Sequence, residues 1–130
     1  MNQYIAMKIK RLQDGETILT SEPGNSMLPL YKSNEKHILT PITWEECSPG
    51  DVVFSKVKGM CVTHKVYAVD PQKGVQVGNN KGHINGWTKN VYGLAHKIPS
   101  GVKPEDELKK YLEAKPEINN NDGKEDIWGS

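Results

Sequence analysis

The 130-residue sequence has no long hydrophobic run, little cysteine and almost no net charge, and each shortage removes a class of function. A bilayer span needs about 20 mostly apolar residues. The apolar runs here last a few residues and mean hydropathy is -0.66, so a soluble chain without a membrane anchor is expected. The first residues, Met1 to Arg11, place Lys8, Lys10 and Arg11 after a short mixed stretch. A secretory signal has its charge first and a longer apolar region after it, so a cytoplasmic chain is expected. Two cysteines, Cys47 and Cys61, allow at most one disulfide, and in a reducing compartment both read as small packing residues. With 17 Lys and Arg against 16 Asp and Glu, the charge of +1 asks for no nucleic acid, anionic membrane or acidic substrate. Trp44, Tyr67, Trp87 and Tyr92 are scattered without interleaved basic residues, so no platform for stacking bases is indicated.

What remains is enough for one domain of ordinary size. Hydrophobic residues make up 35%, below the roughly 45–50% of a typical globular chain on a slightly broader count, which points to a poorly buried tail. Residues 115–130 fit that tail: two lysines stand against four acids, around Asn119-Asn120-Asn121, with few apolar groups. Trp128 is its one residue suited to anchoring a partner, folding back, or occupying a cleft as part of a pseudosubstrate. Residues 1–114 are the folded domain. Tyr4, Ile5, Ile9 and Leu12 recur at near-helical spacing until Asp14-Gly15 stops the pattern, which suits a short N-terminal helix or an edge segment. From Glu16 to Pro99 the chain turns to short β-type runs separated by Gly, Pro and Asn, at 17–20, 37–39, 52–54, 61–69, 74–77 and 91–95. This predicts a mainly β fold, a coiled sheet or partly closed barrel. In the longest run, alternation puts Val62, His64, Val66 and Ala68 on one face and Lys65 and Tyr67 on the other. Residues 104–113 open with proline and acids and carry lysines later, which predicts one C-terminal helix.

The segment Pro23-Gly24-Asn25-Ser26-Met27-Leu28-Pro29-Leu30 sets a serine at a turn. Such a serine can present its hydroxyl outward while backbone N–H groups converge nearby, as an acyl-transfer nucleophile requires. On local composition alone a turn or capping role is the simpler explanation of the same residue types. Four further segments follow in order: Pro49-Gly50-Asp51-Val52-Val53-Phe54, Val62-Thr63-His64-Lys65-Val66, Val77-Gly78-Asn79-Asn80 and Val91-Tyr92-Gly93-Leu94-Ala95. Together with the Ser-Met-x-Pro box they resemble the signal-peptidase and SOS-repressor peptidase superfamily, of the S24/S26 type, over residues 23 to about 98. The resemblance implies a signal-peptidase-like β fold, with Ser26 as nucleophile and His64, 38 residues on, as general base. It is the branch with histidine followed by a basic residue that this chain resembles. A neutral imidazole, with an ordinary pKa near 6.5, accepts the serine proton at neutral pH, whereas a lysine must first be desolvated. Lys65 is the alternative base, but alternation turns it from the face that His64 uses.

Two positions depart from the family pattern. An aspartate is expected just after the Gly-Asp-Asn turn, but the chain reads Asn80-Lys81-Gly82-His83-Ile84-Asn85-Gly86. His83 or Asn85 is left to orient the His64 ring by hydrogen bonding, without a negative charge. The signal-peptidase branch also has an oxyanion-donating serine two positions before the nucleophile, and that position is Gly24. Asn25 or the Ser26 N–H remains for the role. Only 25 residues precede Ser26, too few for a DNA-binding domain and a scissile linker, so a self-cleaving repressor is not expected. Two readings stay open: a soluble, stand-alone serine peptidase acting on a peptide or protein, of the kind expected in a phage or mobile element and then working in the host cytoplasm; or a module that keeps the fold and acts by protein–protein interaction. The oligomeric state is not legible. No cofactor or metal is expected, because Cys61 and His64 at i and i+3 of a strand face opposite sides, and 78–82 lacks the length and ending of a phosphate loop. His37 and His96 read as surface or strand-end residues.

Overall fold

A computed structural model describes residues 3–24, 27 and 30–114. Asn25, Ser26 and the tail 115–130 with Trp128 lie outside the described residues. The chain divides into two compact units, one up to Lys97 and one from Ile98.

The first unit opens with helix α1 (Gln3–Gln13), followed by strands β1 (Ile18–Thr20), β2 (His37–Pro41), β3 (Val52–Val57), β4 (Met60–Asp70), β5 (Gly74–Gly78), β6 (Ile84–Thr88) and β7 (Val91–Lys97). All pairings are antiparallel, in the order β1-β2-β7-β3-β4-β5-β6. The fold is therefore mainly β with helices, as the composition of runs predicts. The sheet does not close into a barrel: β1 and β6 are its two ends and do not pair among the described residues. It does curl, because Thr88 Oγ1 donates to the Lys56 carbonyl at 2.6 Å and Lys56 N donates to Asn90 O at 2.9 Å, which brings the end of β6 back to β3 without a ladder.

Period-two alternation along β3 builds two cores from one strand. Val53 and Val57 pack with Val66, Val75 and Val77 on one face, while Phe54 on the other packs with Leu12, Ile18 and Leu39 beneath α1. Strand β6 was not legible, because Asn85-Gly86 inside Ile84–Thr88 reads as a turn. Pairing of Gln76 with Trp87 and Val77 with Gly86 overrides that local preference. A bulge between Val66 and Ala68 interrupts the alternation expected along β4 before it reaches Ala68.

In the second unit, helix α2 (Pro104–Ala114) has proline at its first position and Glu105, Asp106 and Glu107 in its first turn, where the helix dipole favours acids. Exposed Lys109 and Glu113 approach to 3.9 Å one turn apart. No helix among the described residues is long and apolar enough to cross a membrane.

Candidate active site

Ser26 and Asn25 lie outside the described residues, so the geometry of the site begins with His64. It sits on β4 opposite Val53 of β3 and is 8% exposed. Its Nδ1 is 2.6 Å from Asn85 Oδ1 on β6, 21 residues further along the chain. An amide oxygen only accepts, so Nδ1 carries the ring proton and Nε2 keeps its lone pair. Burial holds His64 below its ordinary pKa of 6.5; the Asn85 bond and the Glu22 charge oppose that shift, and His83 adds slightly to it. The result is an imidazole that is neutral at physiological pH with one tautomer selected. Of the two orienting candidates, Asn85 makes this contact, whereas His83 is exposed in the turn before β6.

That turn is built to deliver Asn85. Asn79 Oδ1 accepts from Lys81 N at 2.9 Å and from His83 N at 3.0 Å, Asn79 N donates to His83 O at 2.9 Å, and Tyr67 Oη donates to the Asn79 carbonyl. Gly78 makes the close approach feasible, since a Cβ there would stand 2.4 Å from the His83 carbonyl oxygen. Any larger residue has to displace the segment that leads into Asn85. Lys65 pairs with Val52 and Gly78 and extends over the Tyr67 ring, its Nζ 5.4 Å from the centroid.

His64 borders a cleft of about 350 Å³, a size typical of ligand sites. Its walls are α1 through Tyr4, Ile5 and Lys8, the segment Ser21–Pro23 after β1, Phe54, and the first part of β4 from Cys61 to His64. Both alternations of β4 line it, Cys61 and Thr63 together with Val62 and His64, so the cleft runs along an edge of the strand and not over one face. The ladder explains the open edge. Residues 60–65 pair with β3, but pairing with β5 starts only at Lys65, so among the described residues the stretch before it has a strand partner on one side only. Lys8, 4% exposed, fixes the opposite wall: its Nζ donates to Glu22 Oε2 at 2.8 Å and lies 4.4 Å from the Phe54 centroid. This buried ion pair ties α1 to the segment that precedes Ser26, and neither partner stood out in the sequence because one helical lysine looks like another.

Gly24 adopts φ 114°, a conformation that favours glycine, and its N–H donates to Ser33 Oγ at 3.0 Å. A serine side chain at this position would need a different backbone. The stretch from Leu30 to Glu35 is held by Lys97, whose Nζ donates to the Leu30 carbonyl and, at 2.9 Å, to Glu35 Oε2. His37 is not the surface residue that its sequence context suggests: it is 3% exposed, because Tyr31 packs edge-on against it with ring centroids 5.4 Å apart. Cys47 is in the valine core, where burial pushes its thiol up to about 11, and Cys61 packs beneath α1; both are free thiols. No three His, Cys, Asp or Glu side chains gather into a metal site among the described residues. Compared with family models, curated proteins and solved structures, the chain matches none.

Proposed function

We propose that the chain is a serine peptidase of the signal-peptidase-like type, in which Ser26 is the nucleophile and His64 the general base. The observation that carries this reading is the 2.6 Å contact between His64 Nδ1 and Asn85 Oδ1. It puts the ring proton on Nδ1 and the basic lone pair on Nε2, on a ring of fixed orientation that borders a cleft also walled by Ser21–Pro23, the segment that leads to Ser26 in the chain. In the reaction, Nε2 takes the Ser26 proton as the hydroxyl oxygen attacks a peptide carbonyl, then passes it to the leaving amine as the C–N bond breaks. A water, deprotonated by the same nitrogen, hydrolyses the ester and restores Ser26. Asn85 orients the imidazole but brings no charge to stabilise the imidazolium, so slower turnover than with a carboxylate is expected. The substrate is an extended peptide, added along the open edge of β4 and recognised largely through its backbone.

The alternative, a module that binds peptides without efficient catalysis, is favoured by one feature: Gly24 has no hydroxyl to offer an oxyanion, and its N–H is engaged by Ser33. The test is cleavage of a diverse unstructured peptide library at about pH 7.5, comparing the native chain with Ser26→Ala and His64→Ala, near the pH where an unperturbed imidazole is mostly neutral. Products that depend on both residues are expected. No products from folded native protein would leave the binding module.

A further inference from the structure

Strand β6 carries the dipeptide Asn85-Gly86, and of the asparagines in the chain Asn85 alone precedes a glycine. We propose that Asn85 is a site of self-modification: in the folded chain it deamidates, and the carboxylate that results pairs with His64. The reaction needs only water as co-reactant. The Gly86 backbone nitrogen attacks the Asn85 side-chain carbon Cγ and gives up its proton, the Cγ–Nδ2 bond breaks, and ammonia leaves with that proton. Water then opens the cyclic imide. Its hydroxyl adds to one carbonyl carbon, the ring C–N bond breaks and the nitrogen regains a proton, which gives aspartate or isoaspartate at position 85. Glycine in second place favours the attack, because no side chain crowds its nitrogen.

The fold favours the reaction at this place. His64 Nδ1 donates to Asn85 Oδ1 at 2.6 Å, so a proton donor already stands on the atom that gains negative charge as Cγ is attacked. The ladder is interrupted at the same point: Val77 is opposite Gly86 and Gly78 opposite Ile84, which leaves Asn85 as the extra residue of a bulge. Among the described residues β6 ends the sheet and pairs with β5 alone, and Asn85 and Gly86 are both half-buried. The backbone that has to shift is thus neither held in a ladder from two sides nor sealed from water. Gly86 is itself required by the sheet, since its φ is 145° and a Cβ there would stand 3.1 Å from Lys58 Cε. Conversion changes the electrostatics of His64. Glu22 and His83 are the other titratable groups that act on the ring, with opposite sign. A carboxylate in contact with Nδ1–H adds a charge that favours the imidazolium and raises its titration. On the peptidase reading, it also supplies the counter-charge that Asn85 lacks.

The experiment incubates the folded full-length chain at neutral pH and follows each asparagine by peptide-mapping mass spectrometry, with His64 titrated by NMR before and after. Asn85 is expected to convert ahead of Asn79, Asn80 and Asn90, with aspartate among the products. The His64 midpoint of the converted fraction should rise by about one unit or more, to that of Asn85→Asp protein. Conversion no faster than at the other asparagines, conversion only in urea-unfolded chain, or a converted chain whose His64 midpoint does not move overturns the site and leaves the peptidase to its own test. Cleavage of the peptide library that rises roughly tenfold or more in step with conversion supports site and peptidase together. Conversion with the midpoint shift, but no cleavage before or after it, keeps the site and refutes the peptidase.

Discussion

Two buried histidines line neighbouring hollows of the sheet, and their rings are held in different ways. His64 on β4 and His37 at the start of β2 are 8% and 3% exposed, and desolvation holds both below the ordinary imidazole pKa of 6.5. Both also have Nδ1 against an oxygen, which selects the tautomer with a lone pair on Nε2. They differ in what that oxygen is attached to. The His64 partner is the side chain of Asn85, delivered by another strand, so the ring orientation depends on the curl of the whole sheet. The His37 partner is the backbone carbonyl of Glu35, two residues away, so its orientation is local and follows from the loop. His64 borders a cleft of about 350 Å³, whereas His37 lines a hollow of about 40 Å³. A buried histidine with a lowered pKa is thus not a function by itself.

The contrast can be broken first by truncation. His64→Ala is expected to reduce kcat by about 10²–10⁴-fold, the usual contribution of a positioned base, whereas His37→Phe should leave kcat within a few-fold of the native chain; steady-state kinetics on one peptide substrate separates the two. If both variants lost kcat equally, the two histidines would share one role. Next comes the orienter. Asn85→Ala should lower kcat roughly tenfold to hundredfold, and Asn85→Asp should raise the His64 titration midpoint by about one unit or more through its added charge, both measurable by NMR titration and pH–rate profiles. An unchanged midpoint in Asn85→Asp would place Asn85 outside the proton path.

A smaller effect sharpens the base assignment. The acid limb of kcat/KM should have its midpoint below pH 6.5, because the base is active when neutral and burial holds His64 neutral to lower pH. An acid limb displaced far to the alkaline side of the imidazole range would rule out His64 as the base and favour Lys65. The mildest effect is on stability. His37, His64 and His96 all have folded-state values below 6.5, so on acidification the unfolded chain takes up protons first. Their contribution is complete above about pH 6.5 and declines as pH falls through their lower folded values. Urea midpoints that are level at and above pH 7.5 and fall between about pH 6.5 and 5 are expected; a midpoint that rises over that interval would contradict the neutral burial of these rings.

Much of the fold was legible because alternation and breakers act locally. The runs at 17–20, 52–54, 61–69 and 91–95 all lie within or overlap strands, and Pro104 with its acidic first turn marks the start of α2. Residues His64 and Val66 alternate with Lys65 and Tyr67 whatever the rest of the chain does, since successive strand residues face opposite ways. Strand β6 was not legible, because Asn85-Gly86 prefers a turn until β5 supplies hydrogen bonds. The burial of His37 was hidden for a related reason: its neighbours Glu35 and Lys36 are polar, and only the fold of residues 31–37 brings Tyr31 onto its ring.

By itself the sequence determined the residue types, the order of the strands along the chain and the facing of side chains within each strand, because these depend on near neighbours and backbone stereochemistry. Tertiary structure alone decided that β7 inserts between β2 and β3, that β4 pairs with β5 only from Lys65 onward among the described residues, that Lys8 of α1 pairs with Glu22, and that Asn85 instead of His83 meets His64. Each of these joins residues distant in the chain, and their positions are set by the curl of the sheet and the packing of its two cores, quantities that no local pattern encodes.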